Sequence, residues 1–298
     1  MTRRSLALEK LDEFHRRYEE DPWCLHWRGV EQVRHAHVLS VLGTLDLSGS
    51  TNTISTLDVG CSRGDFSGKL HNLTGEVTAV DVSQTAVDIA TSRYNLDGLV
   101  FISQTIPGSS LARGVYDLAT CLEVIYYLQE KDRNKFIFEI SELLRPGGTI
   151  LITSLVGGAP YFQPQELQTL VEQSFEEPFM ICYGWSMFQQ FEQNLFRLYW
   201  RLNLAHHYTS GDNGDRDEVT PNSSTTESLA KHLLVNLGKM PVFGWLLRAS
   251  LVTFSSTVKV LLIWQGPGRL AHRFARLLRL TPSHTIIVAR KSPDPADK

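Results

Sequence analysis

From about residue 54 to 154 the chain alternates short β-branched runs with stretches whose apolar residues recur at helical spacing. That alternation predicts βαβ units and therefore a parallel sheet. Five strands are expected: Ile54 to Val59, Glu76 to Val82, Leu99 to Ser103, Tyr116 to Leu122, and Thr149 to Leu155 after the turn Pro146-Gly147-Gly148. Between and beyond them lie helical patterns from Ser83 to Tyr94 with Ser83 as N-cap, from Lys131 to Leu144 closed by Pro146, and from Pro164 to Ser174. A short apolar run, Phe179 to Tyr183, follows.

The pattern then changes. Residues 186 to 205 place Phe188, Phe191, Leu195, Leu198, Tyr199 and Leu202 at helical spacing, and 207 to 227 is a polar stretch rich in Ser, Thr, Asn and Gly. Two amphipathic helices are expected next, one after Pro241 and one from Arg269 to Leu280, separated by Gly266-Pro267-Gly268. A β-type run returns only at His284 to Arg290. The reading is one α/β domain with a helical insertion of roughly a hundred residues between its last two strands, too long for a structureless loop.

Composition changes this picture little. With 42% hydrophobic and 20% charged residues among 298, disorder, collagen and disulfide scaffolds are excluded. The net charge of −3 argues against a purely electrostatic nucleic-acid binder. Cys24, Cys61, Cys121 and Cys182 are far apart, which speaks for a reducing compartment and against a structural zinc site. Residues 1 to 14 lack the apolar stretch of a signal peptide, and Val242 to Trp264 is interrupted by Arg248 and Lys259. A cytoplasmic protein is expected.

The chemistry concentrates in Thr56-Leu57-Asp58-Val59-Gly60-Cys61-Ser62-Arg63-Gly64-Asp65-Phe66. Gly60 ends a strand, and Gly64 lets the backbone stay close to a ligand before the next helix starts. Three residues separate these glycines, so the spacing disfavours a G-x-G-x-x-G pyrophosphate cradle. Asp58 before the loop and Asp81 at the next strand end suit a cofactor carrying cationic groups and a ribose, whose two hydroxyls Asp81 would accept.

These segments resemble the class I S-adenosylmethionine-dependent methyltransferases. The pattern runs in order through Leu57 to Gly64, Ala79-Val80-Asp81-Val82-Ser83, Tyr116 to Val124 and Leu144-Arg145-Pro146-Gly147-Gly148. The Gly60-Cys61-Ser62 form of the loop, Glu123-Val124-Ile125-Tyr126-Tyr127-Leu128, and Asp21-Pro22-Trp23 followed by Glu31-Gln32-Val33-Arg34 are similar to the nodulation protein S family. Those methyltransferases act on the amine of an amino-sugar oligosaccharide, and the resemblance covers about residues 15 to 155. It implies a Rossmann-like, doubly wound, mostly parallel sheet with the helical insertion before the last strand, and S-adenosyl-L-methionine as cofactor. It implies cofactor contacts at Trp23, Arg34, Asp58, Gly60, Cys61, Gly64, Asp81, Val82, Thr105 and Glu123. Where the family usually carries an acid after the third strand, this chain has Gln104-Thr105-Ile106-Pro107, which leaves Thr105 as the hydrogen-bonding group near adenine. Residues 1–53 become an N-terminal helical lid, 54–185 the cofactor-binding core, 186–281 a helical insertion or cap, and 282–298 the last core strand and tail.

Methyl transfer from a sulfonium is an in-line displacement, so the protein must align acceptor and donor and exclude water. An amino-sugar amine, like an α-amino group of pKa ~8, is partly unprotonated near neutral pH and asks for only a weak base. Glu123 and Tyr126, at and just beyond the fourth strand, are the catalytic candidates, although Glu123 can equally hydrogen-bond the first loop and Tyr126 or Tyr127 can line the pocket. Trp23 and Trp27 would cover the cofactor, and Arg34 would meet its carboxylate. His15, His26, His35 and His37 cluster in sequence, but without carboxylate or Cys spacing no metal site is expected. No Pro-Pro motif follows the fourth strand, which disfavours a flipped-base acceptor. A small molecule or glycan is the expected acceptor.

Residues 239 to 298 hold ten Lys and Arg against two acids. Arg269, Arg273 and Arg276 share one face of a helix whose other face is Leu270, Phe274, Leu277 and Leu278. These stripes can pack on the sheet with their arginines in solvent, or form a cap touching a membrane or lipid-linked acceptor through 239–280, or present a partner surface. The primary reading is an amino-group methyltransferase of a small molecule or oligosaccharide. Beside it stand an O-methyltransferase for a lipid-like or polyketide substrate and a non-catalytic, membrane-proximal adaptor.

Overall fold

The computed structural model describes residues 12–16, 29–45, 53–184 and 282–293, together with 190, 193–194, 249–250 and 253. Trp23, Trp27, His26 and nearly all of 186–281 lie outside the described residues, and with them the contacts expected of Trp23 and of the arginine-bearing helix.

The described part contains helical residues 12–16 (α1), α2 (Gly29–Leu42), β1 (Ile54–Val59), α3 (Asp65–Thr74), β2 (Gly75–Asp81), α4 (Gln84–Arg93) and β3 (Leu99–Ser103). β4 (Tyr116–Leu122), α5 (Glu130–Leu143), β5 (Leu144–Leu155), α6 (Pro164–Val171), β6 (Glu176–Tyr183) and β7 (His284–Arg290) follow. The seven strands form one sheet in the order β3-β2-β1-β4-β5-β7-β6, parallel from β1 to β5, with β7 antiparallel to both neighbours. This is the Rossmann-like, mostly parallel sheet expected from the sequence. Its order reverses between β1 and β4, the place where open α/β sheets bind ligands at their carboxyl ends.

Two compact units divide the chain: 1–25 with 34–186 and 274–298 make one, and 26–33 with 187–273 the other. In the first unit the central strands read as continuous apolar runs because both faces are covered. Leu57, Leu118, Ala119, Ile150, Ile152, Ile286 and Ile287 are all fully buried. On α5, Phe136, Ile137, Ile140 and Leu143 form one stripe that closes this core.

Local chemistry sets the element ends. The Ser83 hydroxyl accepts the Ala86 N–H, starting α4 where the sequence places it. The last core helix is shorter than the pattern suggests, ending at Val171. β5 is longer, because Leu144 already pairs with Tyr116. The Arg145 to Gly148 segment is then taken up as an irregularity before Thr149 pairs with Leu118. Asp117 ties this region down by accepting the Ser55 N–H at 2.7 Å and pairing with Arg145.

Candidate active site

The first loop is a turn drawn tightly around the end of β2. The Gly60 and Cys61 N–H groups both donate to the Val80 carbonyl, at 2.8 and 3.0 Å, and the Gly64 N–H donates to the Cys61 carbonyl at 2.9 Å. Gly60 has φ +77°, and a Cβ there would lie 2.1 Å from Val124 Cγ2, so the turn needs glycine for both backbone and space. Ser62 has φ +50° and donates its N–H to Asp81 Oδ2 at 2.9 Å, while the Ser83 N–H donates to Oδ1 at 2.9 Å.

Asp81 is only partly buried, and burial raises its pKa above the usual carboxylate value against the pull of these backbone donors. The Val82 backbone also supports this carboxylate, which leaves part of its about four acceptor positions for other donors. Val82 beside it is exposed. Thr105 is partly buried just past β3, the strand paired with β2, and Gln104 is engaged with Ser110.

Asp58 faces inward. It is 2% exposed, accepting the Ser67 hydroxyl at 2.6 Å on one oxygen and the Thr120 hydroxyl at 2.8 Å on the other. Burial raises its pKa to about 6, opposed by those two hydrogen bonds and assisted by Asp81. Asp58 therefore joins α3 and β4 to β1 beneath the loop. The neighbouring thiols of Cys61 and Cys121 are buried and pushed well above their ordinary pKa, first by burial and then by nearby carboxylates, which keeps both protonated.

Glu123, with φ +60°, turns its carboxylate across to the next strand. Its Oε1 accepts the Thr153 hydroxyl at 2.8 Å and its Oε2 the Leu155 N–H at 3.0 Å. Both bonds run to β5. Tyr126 lies in the 3₁₀ turn Ile125–Tyr127 just after β4, edge-on to Tyr161 with ring centres 5.1 Å apart. Tyr127, by contrast, is 69% exposed.

The structure thus gathers Asp58, Gly60, Cys61, Gly64, Asp81, Val82, Glu123 and Tyr126 at the carboxyl edge of the sheet. Arg34 is partly buried on α2. Of the histidines clustered in sequence, the described ones, His15, His35 and His37, have different partners. His15 meets Arg63, His35 meets Lys69 and Phe66, and His37 meets Tyr183. Among the described residues no group of His, Cys, Asp and Glu could hold a metal.

Sequence reasoning missed Ser67, Thr120 and Thr153, the hydroxyls that hold the two acids. It also missed a cluster at the same edge. His284, paired in register with Leu155, is buried with Nδ1 2.7 Å from the Ser283 hydroxyl and its ring stacked on Tyr183. The one advance signal was that His284 opens the last strand; its place at the ligand edge follows from the antiparallel pairing of β7 with β5.

Residues 56–148 match a protein family described as a methyltransferase domain. Among curated proteins, the mitochondrial ubiquinone biosynthesis O-methyltransferase of Schizosaccharomyces pombe is 30% identical over 104 residues, 33% of this chain and 37% of that protein. Nodulation protein S of Azorhizobium caulinodans is 30% identical over 136 residues, 45% of this chain and 62% of that protein. The chain thus spans less than two thirds of the length of either relative. Among solved structures, the N-methyltransferase NodS from Bradyrhizobium japonicum WM9, in complex with S-adenosyl-L-homocysteine, is 25% identical with a TM-score of 0.50, covering 60% of this chain and 91% of that one.

The loop fits such a cofactor. Beside the Asp81 carboxylate, the Ser62 hydroxyl is a buried polar atom without a hydrogen-bond partner among the described residues.

Proposed function

Because this chain carries a class I S-adenosylmethionine-dependent methyltransferase domain resembling nodulation protein S, we propose that the whole protein methylates an amino group on a sugar or other small metabolite. When bound, the cofactor supplies an electrophilic methyl group on a sulfonium. The chain's own residues bind, orient and exclude water. Asp81 would take the ribose hydroxyls, the Ser62 hydroxyl a polar group of the cofactor, and Thr105 the adenine edge. Asp58 would act from below by holding the loop in shape.

The observation that carries the amine acceptor is the state of Glu123. Both of its oxygens are engaged by donors from β5, so it serves to position the β4 end and is poorly placed to strip a proton from a hydroxyl. An amine near pKa ~8 is already partly unprotonated at neutral pH and needs alignment more than a base. Tyr126 would line the acceptor side.

Incubating the full chain with S-adenosylmethionine and a panel of amino sugars, and following S-adenosylhomocysteine release with methyl product by mass spectrometry, tests this. Turnover on an amine but not on its N-acetylated counterpart supports the reading; transfer only to hydroxyl acceptors sinks it. A second reading, a hydroxyl acceptor, is favoured by His284, whose Nδ1 is fixed by Ser283 at the same edge and which could serve as base. In that case His284→Gln removes turnover while cofactor affinity survives. The membrane-touching role of 239–280 belongs to this second reading, and vesicle co-sedimentation with and without Arg269, Arg273 and Arg276 decides it.

A further inference from the structure

One turn of α1 meets the loops around Asp81 at two points. Arg63 sits in the middle of the first loop and is 1% exposed. Its Nη2 donates to the His15 carbonyl at 2.7 Å and its Nε to His15 Nδ1 at 3.4 Å. A guanidinium taken out of water needs strong acceptors, and the carbonyl of a docked helix provides one. At the second point Asp12 accepts the Ser83 hydroxyl at 2.5 Å and the Thr85 N–H at 3.2 Å. An acid there also lies at the positive end of α4.

The two points converge on one carboxylate. The Ser62 N–H, one residue before Arg63, holds Asp81 Oδ2, and the Ser83 N–H holds Asp81 Oδ1. The 12–16 turn therefore bridges the two loops from which both oxygens of Asp81 hang. Ser62 is also in a left-handed conformation that a serine adopts only when its surroundings impose it.

We propose that Asp12 and Arg63 are positioning residues for the cofactor: by clamping the 12–16 turn across Ser83 and the first loop, they fix the Asp81 carboxylate in the orientation that receives the ribose. This rests on the cofactor reading above. If the clamp orders Asp81, then ligand on Asp81 must tighten the clamp to the same degree, because the coupling is reciprocal.

Calorimetric titration of the full chain with S-adenosylhomocysteine, with hydrogen exchange of residues 12–16 followed in parallel, tests the proposal. Asp12→Ala and Arg63→Met are each expected to weaken binding about tenfold, within the range of typical coupling energies. Asp12→Asn and Arg63→Lys, which keep an acceptor oxygen and a cationic donor, should recover most of it. Ligand should slow exchange over 12–16 in the wild type and not in Asp12→Ala. Asp12 is partly exposed, so Asp12→Ala keeps the test open should Arg63→Met fail to fold. Binding to Asp12→Ala within twofold of the wild type overturns the proposal and leaves the cofactor reading standing. So does weaker binding with the wild-type exchange response retained. No binding to the wild type overturns the cofactor reading itself, and the proposal with it.

Discussion

Glu123 at the end of β4 accepts the Thr153 hydroxyl of β5 at 2.8 Å, so an acid at the ligand edge is spent on joining two strands. The same hydroxyl oxygen receives the Glu123 N–H at 3.2 Å, which closes a small ring at a residue with positive φ.

Thr153→Val keeps the shape and removes both bonds. Leaving a buried carboxylate oxygen without its donor should cost about 1–3 kcal/mol. Urea unfolding would register this as a lower midpoint with unchanged slope. Catalytic rate should fall with it, while S-adenosylhomocysteine affinity changes little. A variant as stable and active as the wild type would show that Glu123 is not held through Thr153.

Gly60→Ala should abolish cofactor binding. The new Cβ meets Val124 Cγ2 at 2.1 Å, and a left-handed alanine costs roughly 1–2 kcal/mol on top of that clash. Adding Val124→Ala relieves the clash but not the backbone strain, so the double variant should recover part of the affinity. Full recovery, or none, would contradict this division.

The buried acid under the loop makes stability pH-dependent. Asp58 titrates near 3.8 when unfolded and at about 6 when folded, so the native state holds the extra proton between those values. Its contribution is complete below about pH 4 and is lost as pH rises through about 6, on the order of 2–3 kcal/mol in all. Asp58→Asn, which can still bond Ser67 and Thr120, lacks this dependence. The stability difference, variant minus wild type, should therefore grow from pH 4 to pH 7. A difference flat across that range would rule the idea out.

Docking of the 12–16 turn should have the opposite sign. His15 is driven down from 6.5 to about 4 by burial and then by the Arg63 charge, with Asp12 pulling the other way. A docked histidine that resists protonation lends stability above pH 6.5 that fades as pH falls toward 4. Between pH 7 and pH 5, hydrogen-exchange protection factors over 12–16 should drop roughly tenfold or more. Protection independent of pH would mean that docking does not lower the His15 pKa.

Much of the fold was legible in advance. β1, β3, β4 and β7 fall at the residues their β-branched runs mark, because each run is bounded by local breaks in the pattern along the chain. The Ser83 cap was legible for the same local reason. The early start of β5 at Leu144 was not, since it depends on pairing with Tyr116 across the sheet, while Pro146 and Gly147 locally favour a turn.

By itself the sequence determined the parallel sheet, the glycine turn after β1 and the acids Asp58 and Asp81 at two strand ends. Hydrophobic period, turn chemistry and residue spacing are properties of neighbours along the chain. Only the tertiary structure decided what those acids do. Asp58 is consumed by Ser67 and Thr120, Glu123 by Thr153 and Leu155, while Asp81 is held by backbone N–H groups and is only partly buried. The partners stand as many as 62 residues away, and a carboxylate's role is set by which donors reach its lone pairs in space.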